Sequence, residues 1–268
     1  MRRLLHKFSH LLGKFTVHDG VIVLTYHRIN PYLPKGPLVV SPKEFMRQMR
    51  FLHFYRKQFE IININQMLEW FSDFPSVANT SRVRTKILIT FDDGYRDNYL
   101  YAFRILKKFS FPATIFLNTD YIGIDYKKER YKNLPWERDY LNRKEIREMI
   151  EWGITFGAHT ATHPHLTRIS LEEVREEMEK SKGVIHKLTG FSVYAFCYPY
   201  GEYNDEIKNI AKECGFSCAF SVNAGINYKG QDLFEIKRID VVGGDSIFSF
   251  KYKITDKYMN KCYTISNA

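Results

Sequence analysis

Two adjacent carboxylates stand at the end of an apolar segment. The segment Lys86–Phe91 is followed directly by Asp92, Asp93 and Gly94. Adjacent carboxylates repel each other, and a bound cation would make their placement tolerable. Glycine then permits a sharp turn into the next element. Taken alone, the motif is also compatible with a plain turn whose aspartates cap the following helix.

Two histidines follow a second apolar segment, Ile154–Ala158. His159 and His163 are four residues apart, which places them on one side of a helical turn and within reach of one metal ion. With Asp93 they would form a His₂–carboxylate site. Three protein ligands leave coordination positions open, as in catalytic zinc sites. In isolation, such a pair is also typical of an ordinary protein surface.

A third motif, Phe196–Gly201, also ends a strand-like segment. Its Pro199-Tyr200-Gly201 sequence is a turn signal. The backbone N–H groups of such a turn could donate hydrogen bonds to an oxyanion at the site.

Strand-like and helix-like segments alternate along the chain and must position these motifs. Helix start signals occur at Ser41, at Asn65 and at Ser170, and Asp97–Phe109 is predicted to be one helix. Repeated alternation predicts a parallel sheet, either a barrel or a doubly wound sheet. In both architectures the active residues lie at the C-terminal ends of the strands, where all three motifs stand.

The charge balance restricts the class of partner. The chain has 268 residues and a net charge of +10, which favours polyanions or an anionic membrane surface as partners. No helix-turn-helix, zinc-finger or RNA-binding signature is present, so nucleic-acid binding is not expected. No apolar run of about 18 residues occurs, so no transmembrane helix is predicted.

Residues 1–16 are predicted to be a unit separate from a catalytic domain over residues 17–268. Apolar residues recur there at helical spacing with basic residues between them, which predicts a short basic amphipathic helix. This helix could be a peripheral membrane anchor, or it could pack on the domain or fray. The lack of a clear signal peptide favours a cytoplasmic or membrane-surface location and leaves the cell envelope open.

Together, the three motifs resemble the polysaccharide deacetylases, carbohydrate esterase family 4, over about Val21–Val242. The resemblance implies a deformed (β/α)7-type barrel with parallel strands, with the active site at their C-terminal ends. It implies that Asp92 is the general base and that the backbone N–H of Tyr200 belongs to an oxyanion hole. The metal ligands it implies are Asp93, His159 and His163.

Two departures from the family pattern are informative. Many members have an arginine where Cys197 stands, and Arg238 from a later strand is our candidate to replace it. The family's closing histidine is also missing after Gly201, but the first strand ends in Tyr26-His27. This order resembles the permuted poly-β-1,6-N-acetylglucosamine deacetylase branch, and we expect His27 to be the general acid.

The expected function is metal-dependent hydrolysis of N-acetyl groups on an amino-sugar glycan, with Zn²⁺, or alternatively Co²⁺ or Ni²⁺, as cofactor. The residues expected to contact the substrate are Pro199, Gly201, Tyr95 and Arg238, and Trp136 and Trp152 are further candidates for stacking on sugar rings. Two alternatives stay open. One is hydrolysis of a non-glycan C–N bond, and the other is an inactive relative that only binds glycan.

Overall fold

The computed structural model describes residues 17–73, 83–124 and 139–255. Its strands are β1 (Val21–Tyr26), β2 (Arg28–Ile29), β3 (Val39–Val40), β4 (Phe59–Ile62), β5 (Thr85–Phe91), β6 (Ala113–Leu117), β7 (Ile154–Ala158), β8 (Ala195–Cys197), β9 (Cys218–Phe220) and β10 (Ile239–Asp240). Its α-helices are α1 (Pro42–Phe54), α2 (Ile64–Ser72), α3 (Arg104–Phe109), α4 (Arg143–Glu151), α5 (Leu171–Thr189), α6 (Asp205–Glu213) and α7 (Ile247–Lys253).

The main sheet is parallel and curls into a deformed barrel. Its strand order is β10-β1-β5-β6-β7-β8-β9, and β4 pairs with the first half of β5. The ends of this path meet, because Ile236 bridges to Phe220 of β9 while Ile239 pairs with Leu24 of β1. The parallel α/β barrel predicted from the sequence is therefore confirmed.

Side-chain alternation along the strands divides the core into two clusters. In β1, Val21 and Val23 belong to an inner cluster, and Ile22 and Leu24 belong to the outer cluster beneath the helices. Both faces are fully buried, as expected for a parallel strand that is apolar throughout. Met67 of α2 completes the inner cluster.

One sequence prediction of local structure is wrong. Asn63, not Asn65, caps α2, because its side chain accepts from the N–H of Gln66 and the Gln66 side chain accepts from the N–H of Asn63. The predicted helix over Asp97–Phe109 is confirmed, but it is not uniform. Residues Asn98–Phe103 form a π-helical turn before α3 begins. The predicted amphipathic helix over residues 1–16 lies outside the described residues.

A buried ion pair fixes the chain directly after His27. The Oδ2 atom of Asp97 accepts a hydrogen bond from Nε of Arg28 at 2.7 Å, and its Oδ1 atom accepts from the N–H of Ile29 at 3.2 Å. Both charged side chains are almost fully buried. Breaking a buried pair leaves an uncompensated charge, which costs far more than breaking an exposed pair.

We therefore predict that Asp97→Ala lowers the free energy of unfolding by about 3–5 kcal/mol, measured by urea denaturation. The matched control is Asp19→Ala. Asp19 is 66% exposed and lies 3.7 Å from Lys86, so its loss should cost less than about 1 kcal/mol. Equal losses in the two variants would contradict the assignment of Arg28–Asp97 as a structural pair.

Candidate active site

The C-terminal ends of the strands surround a cavity of about 170 Å³. Of the ten residues predicted to form the site, eight line this cavity: His27, Asp92, Asp93, His159, His163, Tyr200, Gly201 and Arg238. Seven of them lie in segments that follow β1, β5, β7 and β8, and the eighth, Arg238, directly precedes β10. The rule that functional residues gather at this end of parallel strands thus locates most of the site.

Asp93 faces both histidines. Its Oδ1 atom lies 3.5 Å from Nε2 of His159 and 3.5 Å from Nε2 of His163. The three ligand atoms lie within 4.8 Å of one another. A carboxylate oxygen and two imidazole nitrogens are the donor types of catalytic zinc sites. The side chains present therefore fit a divalent cation.

The surroundings of the two histidines also suit a metal ligand. Nδ1 of His159 lies 2.7 Å from the carbonyl oxygen of Cys197, which can only accept, so Nδ1 is the donor and Nε2 is the nitrogen that faces Asp93. Burial and the neighbouring His159 lower the pKa of His163 to about 4, against a smaller opposing effect of Asp93. Neutral imidazole is the form that binds metals.

The loop between the histidines is not the helical turn that the sequence predicted. Thr160 and His163 have φ angles of 65° and 61°, a region that costs non-glycine residues about 1–3 kcal/mol each. The loop is instead held by a neighbouring segment, Asn118–Tyr121. Each of the four residues of this segment donates one hydrogen bond to the loop, and the acceptors are, in order, the carbonyl oxygens of His159, Thr160, Ala161 and Thr162.

Glu177 holds the other side of this loop. Its Oε2 atom accepts from the N–H groups of Ala161 and Thr162, at 2.7 and 2.9 Å, and its Oε1 atom accepts from the Thr162 hydroxyl at 2.8 Å. Sequence reasoning missed this residue. Glu177 belongs to the charged face of α5, and no local pattern distinguishes it from the exposed glutamates beside it.

Asp92 is buried and ionised. Its Oδ1 atom accepts from Nη1 of Arg238 at 2.8 Å, and its Oδ2 atom lies 3.9 Å from Nε2 of His27. Burial by itself raises the pKa of the Asp92 carboxyl, but Arg238, His159 and His27 outweigh it and hold the pKa well below its usual value. Arg238, itself buried, also donates from Nε to the carbonyl of Ser221.

Asp92, His159 and Cys197 form a second group of possible ligands, and its chemistry is less suitable. Burial raises the pKa of the Cys197 thiol well above its usual value, so the sulfur keeps its proton. The thiol lies 3.6 Å from Oδ2 of Asp92. A protonated thiol is a poor zinc ligand, and the set centred on Asp93 is therefore the better one.

The turn after β8 brings Tyr200 to the cavity. Tyr200 has a φ of 57° and stands second in the 3₁₀ turn Pro199–Gly201, where an N–H has no acceptor within the turn. Its ring is half exposed and stacks on His165 at 4.0 Å between centroids. Gly201 has a φ of 71°, and a Cβ there would lie 2.4 Å from Val222.

Three of the predicted sugar contacts are placed differently. Pro199 is buried, and Tyr95 is packed between the Arg28 guanidinium at 4.3 Å and the Tyr140 ring at 5.2 Å, so neither lines the cavity. Trp152 follows α4 and lies at the opposite end of the barrel, where β7 begins. Trp136 lies outside the described residues.

Known proteins share this sequence pattern. A family model described as polysaccharide deacetylase matches residues 80–219. The Bacillus subtilis (strain 168) protein YxkH, named for that activity, is 29% identical over 234 residues, which cover 85% of this chain and 74% of YxkH. The poly-beta-1,6-N-acetyl-D-glucosamine N-deacetylase of Staphylococcus aureus (strain MRSA252) is 26% identical over 231 residues. The match covers 83% of this chain and 73% of that enzyme.

Solved structures share the fold. The Streptococcus pyogenes deacetylase PplD, in complex with acetate, matches with a TM-score of 0.73 and 25% identity, over 88% of this chain and 98% of PplD. IcaB from Ammonifex degensii matches with a TM-score of 0.71 and 22% identity, over 89% of this chain and 98% of that structure, which is a likeness of fold.

We predict that Asp93→Ala and His163→Ala each abolish tight binding of Zn²⁺ at this site, because each leaves only two protein ligands. Metal content after dialysis, measured by mass spectrometry, tests this. The control is His186→Ala, since His186 is exposed and its Nδ1 lies 2.9 Å from the Phe191 carbonyl oxygen, away from the ligands. Full retention of zinc by either ligand variant would contradict the assignment.

We also predict that Glu177→Ala lowers zinc affinity about 10- to 100-fold, although Glu177 touches neither histidine ring. Its loss frees two N–H groups of the strained loop. Competition with a chromophoric chelator measures the change, and the neighbouring, exposed Glu176→Ala is the matched control. An unchanged affinity in Glu177→Ala would show that the loop holds its shape without this carboxylate.

Proposed function

The chain belongs to the polysaccharide deacetylase family, and on that premise we propose that it is a metal-dependent hydrolase that removes N-acetyl groups from an amino-sugar glycan. One observation carries the proposal. Asp93 faces the Nε2 atoms of two imidazole rings while its neighbour Asp92 is kept ionised by Arg238. The site thus separates a carboxylate for the metal from a carboxylate for proton transfer.

Asp93, His159 and His163 are the residues that would hold the cation. When bound, a divalent cation supplies Lewis-acid polarisation of the acetyl carbonyl and lowers the pKa of water. Zn²⁺ is our first choice for this donor set, and Co²⁺ or Ni²⁺ are alternatives for the same nitrogen and oxygen ligands.

Asp92 has the properties of a general base. Its Oδ1 atom is occupied by Arg238, so Oδ2 is the oxygen that accepts a proton from the attacking water. The Arg238 contact fixes the direction of this carboxylate. Burial would raise the pKa of Asp92, and because Arg238 opposes that effect the carboxylate stays ionised at neutral pH.

His27 and Tyr200 complete the proposed reaction. His27 would be the general acid that donates a proton to the departing amine. Its side chain is a quarter exposed, and its Nε2 lies 3.9 Å from Oδ2 of Asp92, so the proton that Asp92 gains from water is close to His27. The N–H of Tyr200 would donate to the oxyanion that forms as water adds to the acetyl carbonyl. Each role is worth roughly 10²–10⁴-fold in rate.

The cavity rim has the character of a sugar and methyl binding surface. Leu38, Tyr200 and Val222 line the cavity and are each about half exposed. Apolar and aromatic surface suits the methyl of an acetyl group and the apolar face of a pyranose ring. This rim supports an N-acetylated sugar as substrate.

The decisive experiment is acetate release from defined N-acetylglucosamine oligomers by the zinc-loaded protein, with and without a chelator. We expect release that stops with the chelator and returns with added zinc. Turnover of allantoin-like amides without acetate release would favour the non-glycan alternative. Glycan binding without acetate release would identify an inactive binder.

We further predict that Asp92→Asn lowers kcat for acetate release by about 10²–10⁴-fold while zinc stays bound, because the amide cannot take a proton. Asp205→Asn is the control, since Asp205 is 92% exposed on α6. Both variants should contain the same amount of zinc. A fully active Asp92→Asn protein would rule out Asp92 as the base.

A further inference from the structure

The end of the barrel opposite the cavity presents four exposed aromatic rings. Phe54 is 73% exposed, Trp152 58%, Phe191 64% and Tyr194 45%. They lie in the segments that lead into β4, β7 and β8, where these strands begin. We call residues 53–57, 107–112, 151–153 and 186–194 the basal rim.

The parts of the basal rim are neighbours. β6, β7 and β8 are consecutive in the sheet, and β4 pairs with the first half of β5. A groove of about 510 Å³ is lined by Phe191 and Tyr194, and an adjoining one of about 220 Å³ is lined by Trp152. Both include Gly153 and Ile154, so the grooves are continuous.

The same rim is strongly basic. Its sequence contains five Lys or Arg residues, Arg56, Lys57, Lys107, Lys108 and Lys187, against a single acid, Glu151. Four of the five cations are exposed, and the ammonium of Lys107 lies 3.8 Å from the centre of the Trp152 ring. Exposed rings among cations are the composition of surfaces that lie at the headgroup level of a membrane.

The N-terminal sequence points to the same end. Residues 1–16 contain Arg2, Arg3, Lys7 and Lys14 among six Leu and Phe residues, and they connect through residues 17–20 to the start of β1. Parallel strands all begin at one end of the barrel, so this basic and apolar segment joins the domain at the end that carries the rim.

We propose that the basal rim docks on an anionic lipid bilayer, with its rings at the headgroup level and its Lys and Arg side chains on lipid phosphates. A soluble polyanion would neutralise the cations but would leave the four rings in water, which makes a bilayer the better partner. No helix within residues 17–73, 83–124 and 139–255 is long and apolar enough to cross a membrane, so the contact is peripheral.

This orientation has a consequence for the candidate active site. The cavity lies at the C-terminal ends of the strands and the rim lies where they begin, so the cavity opens away from the bilayer. The proposal stands independently of the proposed function, because no rim residue lines the cavity.

The test is co-sedimentation of the full chain with vesicles of phosphatidylcholine alone or with 30% phosphatidylglycerol. The ring variant is Trp152→Ser with Phe191→Ser, and the charge variant is Lys57→Glu with Lys108→Glu. We expect each to reduce the partition coefficient on anionic vesicles about tenfold or more. Neutral vesicles should bind the unchanged protein weakly.

Matched controls carry the same changes at the other end of the barrel. They are Tyr32→Ser with Phe248→Ser, whose rings are 81% and 72% exposed, and Lys35→Glu with Lys43→Glu, both exposed. These should bind anionic vesicles within about twofold of the unchanged protein. Thermal unfolding and acetate release from soluble oligomers, measured on every variant, separate loss of docking from misfolding and from failure of the proposed function.

Three results would overturn the proposal. One is absence of binding to anionic vesicles by the unchanged full chain. Another is equal binding by rim and control variants, which would assign any membrane contact to residues outside the rim. The third is retention on heparin that depends on the rim charges but not on the rim rings, without vesicle binding, which would indicate a soluble polyanion as partner.

Discussion

Two neighbouring carboxylates at the end of one strand must find different partners, and the rest of the site follows from this constraint. Asp92 is held by Arg238, which lies 146 residues further along the chain, and Asp93 faces the two histidines. The chain separates them through consecutive left-handed residues, Asp93 and Gly94, each with a φ of 71°. Without that turn both charges would compete for one partner, and burial would favour protonation of at least one of them.

The histidine loop shows how a strained backbone is kept in one conformation. The positive φ angles of Thr160 and His163 cost conformational free energy, which contacts from outside the loop must offset. Asn118–Tyr121 bond the carbonyl side of the loop, and Glu177 bonds its N–H side. Lys180 on α5 pairs with Asp120 at 2.7 Å, which connects the two supports. The ligand geometry therefore depends on a helix and a turn that contribute no ligand.

The two ends of the barrel carry different kinds of surface. Where the strands end, buried charges and imidazole rings surround a small cavity. Where they begin, exposed rings and cations surround a wider groove. Both surfaces follow from the parallel topology. Every strand brings one loop to each end of the barrel, and the interior between the two ends is apolar. Changes at one end can therefore leave the other intact.

The sequence by itself determined a parallel α/β sheet, most strand positions and the cluster of Asp92, Asp93, His159 and His163, because apolar segments mark buried strands and parallel strands bring their ends together. The choice of a barrel over a doubly wound sheet came from the resemblance to the polysaccharide deacetylases. The sequence also suggested Arg238 as a partner near Asp92. It misplaced the α2 cap at Asn65, predicted a helical turn between the histidines, and offered Trp152 as a candidate for stacking on sugar rings. The cap is a local error, because the Asn63 side chain bonds Gln66 only three residues further along the chain. Only the tertiary structure decided the loop and the position of the Trp152 ring, since both depend on contacts between residues far apart in sequence. Glu177 is the clearest case, because its role exists only through the loop that α5 happens to pack against.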